Sequence, residues 1–260
     1  MWPLPASGNE HESRVTSALG VTRTVRDDRL AVLAHEWLYG RFTSREDSPN
    51  LFFGEPDLFE AGLRERQVEW VWVAPDNRSR TEVFSPEGEL QAVLVTNQRY
   101  RVMWGDAGAS PRSHKGGWPA DDLMPFEMFN DHGRSEGAMA LTHPGYFTHG
   151  LVAVPGEREE RLIDPVLGRP VRRLLLESTP EAAATSWQGT DIRTPVLPEA
   201  QQVELAVDEE FDVIVAWTGL FEGKPYAQTR FHELDFDVTI DPAWFELSEG
   251  DFPIARPALR

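Results

Sequence analysis

Residues 226–247 of this chain read YAQTRFHELDFDVTIDPAWFEL. Between positions 234 and 240 the apolar residues Leu234, Phe236, Val238 and Ile240 alternate with polar ones. A period of two with one polar face predicts a half-buried antiparallel strand. The pair Asp241-Pro242 should end this strand, because proline has no backbone N–H to donate. The aromatic pair that follows, Trp244 and Phe245, predicts a short apolar plug, so we expect a curved sheet around an apolar space.

The segment before residue 105 predicts four more strands of the same kind. They cover residues 67–74, 79–84, 90–96 and 99–104, and each break carries turn-forming residues such as Pro75-Asp76-Asn77. A spacing of about ten residues per strand is typical of an antiparallel sheet or an open barrel. We therefore expect an antiparallel, strongly curved sheet in which neighbouring strands contribute Trp70, Trp72, Tyr100, Val102 and Trp104.

The rest of the chain has weaker patterns. Residues 14–33 are compatible with a helix, and the alternation of residues 33–43 indicates a first strand. Residues 150–155 and 161–163 predict a pair of strands around a turn at Gly156, and residues 178–200 have the composition of a poorly ordered insertion. Further strands are predicted at residues 171–177, 203–206 and 211–218.

Two segments are apolar without belonging to a strand. Residues 121–129 predict a short helix that begins at Asp121 or Asp122 and is apolar almost all round. We expect it to act as a lid over the concave face of the sheet. Residues 48–62 carry five large apolar side chains between prolines and glycines, which indicates either a mobile flap over a cavity or a surface for a protein partner.

The composition limits the function. The 260 residues include 43 acidic and 25 basic ones, giving a formal net charge of −18, which disfavours nucleic-acid binding. There is no cysteine, which excludes disulfides, thiolate metal sites and a cysteine nucleophile. No stretch approaches the roughly 18 apolar residues of a membrane span. The first residues lack the features of a signal peptide, so we expect a cytoplasmic location, or an extracytoplasmic one if an export signal was removed.

Three pieces of the sequence, in order, resemble the LolA/LolB-like superfamily, which includes lipoprotein carriers and RseB-type lipid-sensing domains. The first piece is Trp70–Arg80 with its continuation Thr96–Trp104, and the second is the Asp-Pro hairpin Leu162–Arg172. The third is the terminal strand and plug, Leu234–Phe245. Two features depart from the family pattern: the absence of an export signal, and the extra segments 48–62 and 178–200.

The resemblance implies a mainly β fold with lid helices, an unclosed antiparallel half-barrel whose apolar cup holds an acyl chain or another hydrophobic molecule. We expect one such domain over residues 30–250, preceded by an N-terminal arm and helix at 1–29 and followed by a tail at 251–260. The residues predicted to line the cup are aromatic or apolar: Trp37, Trp70, Trp72, Tyr100, Trp104, Leu123, Met124, Phe126, Met128, Phe129, Trp217 and Phe236. The alternative for these large side chains is ordinary core packing.

The sequence contains no recognisable catalytic or metal-binding motif. The histidines at 132, 143 and 149 do not have the spacing of a metal-ligand set, so we expect no metal and no cofactor. The favoured function is therefore a non-catalytic binder of a hydrophobic ligand. The alternative is an enzyme that converts a hydrophobic small molecule with buried polar groups such as His35, Tyr100 or Asp122. A buried carboxylate or histidine at the floor of the cup would favour the enzyme.

Overall fold

A computed structural model gives the fold of the chain. It describes residues 14–42, 61–75, 78–96, 101–105, 135–148, 150–157, 159–178, 197 and 199–246. The predicted lid at 121–129, nearly all of the apolar loop at 48–62 and most of the predicted insertion at 178–200 lie outside the described residues. Within the described ranges, no helix is long and apolar enough to cross a membrane.

Eleven strands and two α-helices make up the described part of the chain. The strands are β1 (Ala18–Arg26), β2 (Arg64–Ala74), β3 (Arg78–Phe84), β4 (Leu90–Thr96), β5 (Arg101–Gly105), β6 (Leu151–Ala153), β7 (Glu160–Ile163), β8 (Pro170–Ser178), β9 (Gln202–Asp208), β10 (Ile214–Phe221) and β11 (Lys224–Phe236). The helices are α1 (Asp28–Phe42) and α2 (Glu136–Thr142). Two short 3-10 turns, Pro144–Thr148 and Pro242–Phe245, complete the described elements.

All eleven strands belong to one antiparallel sheet. Their order is β5-β4-β3-β2-β1-β11-β10-β9-β8-β6, with β7 paired beside β6 on β8. The end strands β5 and β6 do not pair with each other among the described elements, so the sheet is unclosed. The predicted fold class, a mainly β half-barrel with helices on the sheet, is confirmed.

The structure corrects the sequence interpretation of residues 14–43. Residues 18–26 form a strand rather than a helix, and residues 28–42 form a helix rather than a strand. The run Val21-Thr22-Arg23-Thr24-Val25 is rich in β-branched residues, which favour strands. It pairs with β2 on one side and β11 on the other, so these residues lie in the middle of the sheet.

Two further strand predictions also differ from the structure. The last strand ends at Phe236 instead of Ile240, because Asp237 adopts a left-handed backbone with φ of 54°. Because of this turn, the side chains of Phe236 and Ile240 pack against two different apolar clusters. The strands predicted to pair around Gly156 do not pair with each other: β6 and β7 each pair with a different part of β8.

The main core lies on the face of the sheet that carries the helices, called here the inner face. It contains Val71 and Val73 of β2, together with buried residues of β8 to β11 and of both helices. Helix α2 contacts β2, β3 and β10, although β1 and β11 separate β2 from β10. A single short helix that reaches these strands requires the sheet to curve around it.

The other face of β2, called here the outer face, carries a second and smaller cluster. Trp70 and Trp72 stack there with ring centroids 6.2 Å apart, beneath the 3-10 turn of Pro242–Phe245. Phe245, the predicted plug, is 1% exposed in this cluster. Beside it the guanidinium of Arg80 is ion-paired with Glu82 at 2.8 Å and lies over the ring of Trp244. This buried pair is enclosed by aromatic side chains.

Candidate functional site

A cavity of about 480 Å³ lies where the end of β1 meets the early parts of β2 and β11 and the first residue of α2. Its volume is within the usual range for small-molecule sites. Among the described residues its walls are mainly polar and charged: Thr24, Arg26, Asp28, Arg66, Gln67, Glu136, Leu197, Ala227, Gln228 and Thr229. The described part of this cavity is therefore not the purely apolar cup that the sequence predicted.

Glu136 is placed at the cavity by the start of helix α2. The helix begins after Ser135, whose hydroxyl accepts a hydrogen bond from the N–H of Ala138 at 3.2 Å. The same hydroxyl is 2.9 Å from that of Thr81 on β3, which ties the helix start to the sheet. The indole N–H of Trp217 donates to Glu136 Oε2 at 3.0 Å and fixes its carboxylate.

Glu136 is exposed as a residue and lines the cavity, although protein surrounds its carboxyl group. Loss of solvation raises its pKa, and the nearby charge of Glu199 raises it further, while the hydrogen bond from Trp217 opposes the shift. Accessibility and a raised pKa are compatible, because a group on a cavity wall can contact water and still be poorly solvated. Glu136 is thus a carboxylate that a ligand in the cavity can reach.

Glu69 lies directly beneath the first turn of α2. It is 5% exposed on the inner face of β2, and its Oε1 accepts a hydrogen bond from the amide of Gln67 at 3.0 Å. Burial is the main cause that raises the pKa of Glu69 to about 7, and the charge of Glu136 adds to the shift. Nearby donors on Ser135, Gly137 and Thr22 partly oppose it. Glu69 and Glu136 therefore form a coupled carboxyl pair, with Glu136 on the cavity wall and Glu69 behind it.

Several buried oxygens around this pair have no hydrogen-bond partner in the described structure. The phenol of Tyr226 is the clearest case, whereas Oε2 of Glu69 and the hydroxyl of Thr22 lack a bond of good geometry although donors of Ser135, Gly137 and Thr22 lie close to the Glu69 carboxyl. Thr22 and Tyr226 are 0% and 1% exposed. Such groups are normally paired in folded proteins, by protein, water or a ligand. The cluster therefore has unused hydrogen-bonding capacity.

Tyr226 connects the cluster to the cavity. A methyl group added to Gly219 would lie 2.7 Å from the Tyr226 ring and 3.0 Å from a methyl of Leu197, so the two side chains meet over this glycine. Leu197 and the residue after Tyr226, Ala227, both line the cavity. Burial raises the pKa of the Tyr226 phenol, and the charges of Glu199 and Glu136 raise it further. The phenol oxygen thus lies just behind the lining, in a negative field.

The positive charges of the cavity wall are paired with one aspartate. Arg66 forms a close ion pair with Asp28, and Arg26 Nε lies 3.8 Å from the same carboxylate. By contrast, no arginine, lysine or histidine of the described chain lies within ion-pairing distance of Glu69, Glu136 or Glu199. The four charged residues of the described lining, Arg26 and Arg66 against Asp28 and Glu136, therefore carry formal charges that cancel.

His35, singled out from the sequence, lies on α1 close to this region. Burial lowers its pKa, while the charge of Glu199 opposes that shift and the charge of Arg26 supports it. These influences place His35 near the acidic cluster, but it does not line the cavity. No cluster of metal-ligating side chains occurs within the part of the chain that the structure describes.

The residues predicted to line the cup fall into three groups. Trp217 lies in the inner-face core, with Trp37 and Phe236 packed against it. Trp217 is next to the cavity through its bond to Glu136, whereas Trp70 and Trp72 are on the outer face, in the second cluster. The third group lies outside the residues that the structure describes: Tyr100, Leu123, Met124, Phe126, Met128 and Phe129, together with the side chain of Trp104 on β5. The ligand-binding role of the whole set stays a prediction.

The sequence interpretation missed the polar residues that the structure brings together. One signal was available: in Glu69-Trp70-Val71-Trp72-Val73, the glutamate shares a face with two valines. A carboxyl group on the apolar face of a strand is unusual enough to identify Glu69 as a candidate functional residue. Glu136 and Tyr226 carried no comparable signal, because their proximity depends on how distant segments fold together.

The comparisons with known proteins show likeness in fold only. No family model matches the chain, and no curated protein matches it. An uncharacterised conserved protein from Thermus thermophilus is 12% identical with a TM-score of 0.42, covering 92% of this chain and 91% of its own. The MucA/MucB complex of Pseudomonas aeruginosa gives 15% identity and a TM-score of 0.40, covering 90% of this chain and 59% of that one.

A putative outer membrane lipoprotein-sorting protein domain from Vibrio parahaemolyticus is also similar, with 7% identity and a TM-score of 0.26 over 88% of each chain. These structures agree, at the level of fold, with the LolA/LolB-like resemblance seen in the sequence. All three TM-scores are below 0.5, so the function of this chain is argued from its own residues.

Proposed function

We propose that this protein is a non-catalytic binder of an amphipathic small molecule. The observation that carries the proposal is the cavity of about 480 Å³ beside α2, with polar walls above a sealed apolar core. A ligand site needs a pre-formed space and a few polar groups held in fixed positions. Ser135, Thr81 and Trp217 supply that rigidity by holding the start of α2 and the carboxylate of Glu136.

In this proposal the polar end of the ligand occupies the described cavity. Its apolar part contacts Leu197 and Ala227 and then the apolar segments of the sequence, for which residues 121–129 remain the proposed cover. The inner-face core itself is filled by side chains of the protein, with Leu141, Phe147 and Leu205 fully buried. The ligand therefore binds beside this core rather than within it.

A second candidate function is an enzyme that acts on the same class of molecule. The carboxyl pair Glu69 and Glu136 favours it, because a carboxyl whose pKa is raised to about 7 suits proton transfer at neutral pH. The binder remains the better-supported function, since Glu69 lies behind Gly137 and only Glu136 of the pair lines the cavity.

Filling the cavity tests the proposal. Ala227, 7% exposed on the cavity wall, is replaced by phenylalanine, and binding of the neutral fluorescent probe N-phenylnaphthylamine is titrated. We expect at least about tenfold weaker binding, because the new ring occupies the space. The matched control is Ala243→Phe on the exposed surface of the 3-10 turn. Equal binding by wild type and both variants, with unchanged circular dichroism, would place the ligand elsewhere.

A further inference from the structure

After strand β11 the chain crosses the outer face of the sheet as a strap, defined here as residues 238–246. The left-handed backbone of Asp237 turns the chain onto that face. Resting on the proposed function, we propose that the strap is releasable and that the cavity binds its ligand only while the strap is docked. The strap would then control ligand release from the face of the sheet opposite the cavity.

Side chains dock the strap on β2 and β3. Phe245 is 1% exposed, and the ring of Trp244 meets that of Trp72 edge-on with centroids 5.4 Å apart. The guanidinium of Arg80 lies 4.5 Å from the centroid of the Trp244 ring and donates to the carbonyl of the same residue at 3.3 Å. Buried aromatic and arginine side chains of this kind carry most of the binding energy of protein interfaces. The strap is therefore held in the way that a bound peptide is held.

Two features of the strap favour its release. The positive φ of 54° at Asp237 is disfavoured for a residue with a side chain, so the entry to the docked strap is strained. The indole N–H of Trp244 is buried without an acceptor in the described structure, so docking removes its hydrogen bond to water without replacing it. The 3-10 turn is closed by bonds within the strap, from Trp244 to Asp241 and from Glu246 to Ala243. Release therefore breaks side-chain contacts and no strand pairing.

Strand β3 connects the strap with helix α2. Arg80 reaches the strap on the outer face, and the hydroxyl of the next residue, Thr81, is 2.9 Å from that of Ser135 at the start of α2. Neighbouring residues of a strand face opposite sides of the sheet, so one stretch of backbone carries both contacts. A shift of β3 on release of the strap would therefore reach α2, whose first residue, Glu136, lines the cavity.

Strand β2 makes the same connection. Trp72 packs against Trp244 of the strap, whereas its neighbour Val71 lies beneath α2, where a methyl group on Gly137 would be 2.9 Å away. Such close packing leaves no space in which β2 could move without displacing the helix. The strap and α2 thus hold β2 and β3 from opposite faces, and a docked strap fixes the position of the cavity wall.

A distance measurement tests whether the strap is released. Because the chain has no cysteine, spin labels can be placed only where cysteines are introduced, at the exposed positions Ala243→Cys in the strap and Gln91→Cys on β4. Double electron–electron resonance then gives the distance between the labels. We expect two distances in the free protein, for docked and released straps, and only the docked distance at saturating N-phenylnaphthylamine. A single distance that the probe does not change would overturn the inference.

Phe245→Ala tests whether docking controls binding, because it removes the buried anchor of the strap. If only the docked form binds, the apparent dissociation constant is the intrinsic one divided by the docked fraction. We therefore expect the affinity for the probe to fall by the same factor as the docked fraction, about tenfold. The matched control is Phe211→Ala, which removes the same side chain from a stack with Phe236 and should leave the affinity unchanged.

The outcomes separate this inference from the function on which it rests. Failure of the wild type to bind the probe would overturn both. Wild-type affinity in Phe245→Ala, or a released fraction that increases with the probe, would overturn the inference and keep the binder. Equal weakening in Phe245→Ala and Phe211→Ala would also overturn it, because the loss would then follow general stability instead of strap docking.

Discussion

At the scale of single residues, Glu69 is the group with the clearest energetic consequence. Its ordinary carboxyl pKa of 4.5 is raised to about 7 in the folded chain, first by burial and then by the charge of Glu136. The folded state therefore holds a proton that the unfolded state has already lost between these two values. The free energy of unfolding therefore falls by about 3 kcal/mol, for this group alone, as the pH rises from about 4.5 to about 7. Above that window the contribution of Glu69 no longer changes with pH.

Glu69→Gln isolates this effect, because glutamine has the same shape and does not titrate. We expect the variant to be more stable than wild type by up to about 3 kcal/mol at about pH 8, and nearly equal to it at about pH 5. Urea unfolding at the two pH values measures the difference. The exposed Glu233→Gln should show no such pH dependence. A Glu69→Gln effect of the same size at both pH values would mean that Glu69 is ionised in the folded chain.

At the scale of elements, the position of α2 depends on one glycine. A methyl group on Gly137 would lie 2.9 Å from a methyl of Val71 and 3.0 Å from Oε2 of Glu69. Both distances are shorter than side chains normally tolerate, so the helix and β2 approach closely only because position 137 lacks a side chain.

Gly137→Ala therefore sets two effects against each other. Alanine favours a helix over glycine by at most about 1 kcal/mol, whereas the overpacking costs about 1–3 kcal/mol. We expect a net loss of about 1 kcal/mol in the free energy of unfolding, measured in urea, together with weaker probe binding because Glu136 is displaced. A more stable variant with unchanged binding would show that α2 can move without affecting the cavity.

Elements also show how far the sequence could predict the fold. The strands of residues 64–105 were predictable, since alternation and turn residues are local signals. The order of strand and helix in residues 14–43 was not, because Ala18–Arg26 is stabilised as a strand by β2 and β11, which are distant in sequence. The sequence also could not predict which face of the sheet carries Trp70 and Trp72. The period of two places them on the opposite face from Glu69 and Val71, but it does not indicate which face packs against the helices.

At the scale of the whole molecule, the half-barrel could be predicted and most of the candidate site could not. The open sheet follows from strand spacing and from the terminal segment 226–247, whose second half crosses to the outer face at Asp237. The site instead combines Glu69, Glu136 and Tyr226 from separate segments. Their proximity is created by strand register and by the curvature that brings α2 onto both β2 and β10. No local pattern encodes that arrangement.

The proposed function requires the cavity beside α2 to bind an amphipathic molecule and to release it unchanged. Native mass spectrometry of the protein mixed with a polar lipid extract tests it most directly. We expect one bound molecule per chain, recovered after denaturation with the mass it had in the extract, and no bound molecule on Ala227→Phe. A chain that carries nothing, or an added molecule recovered with an altered mass only after contact with the protein, would contradict it.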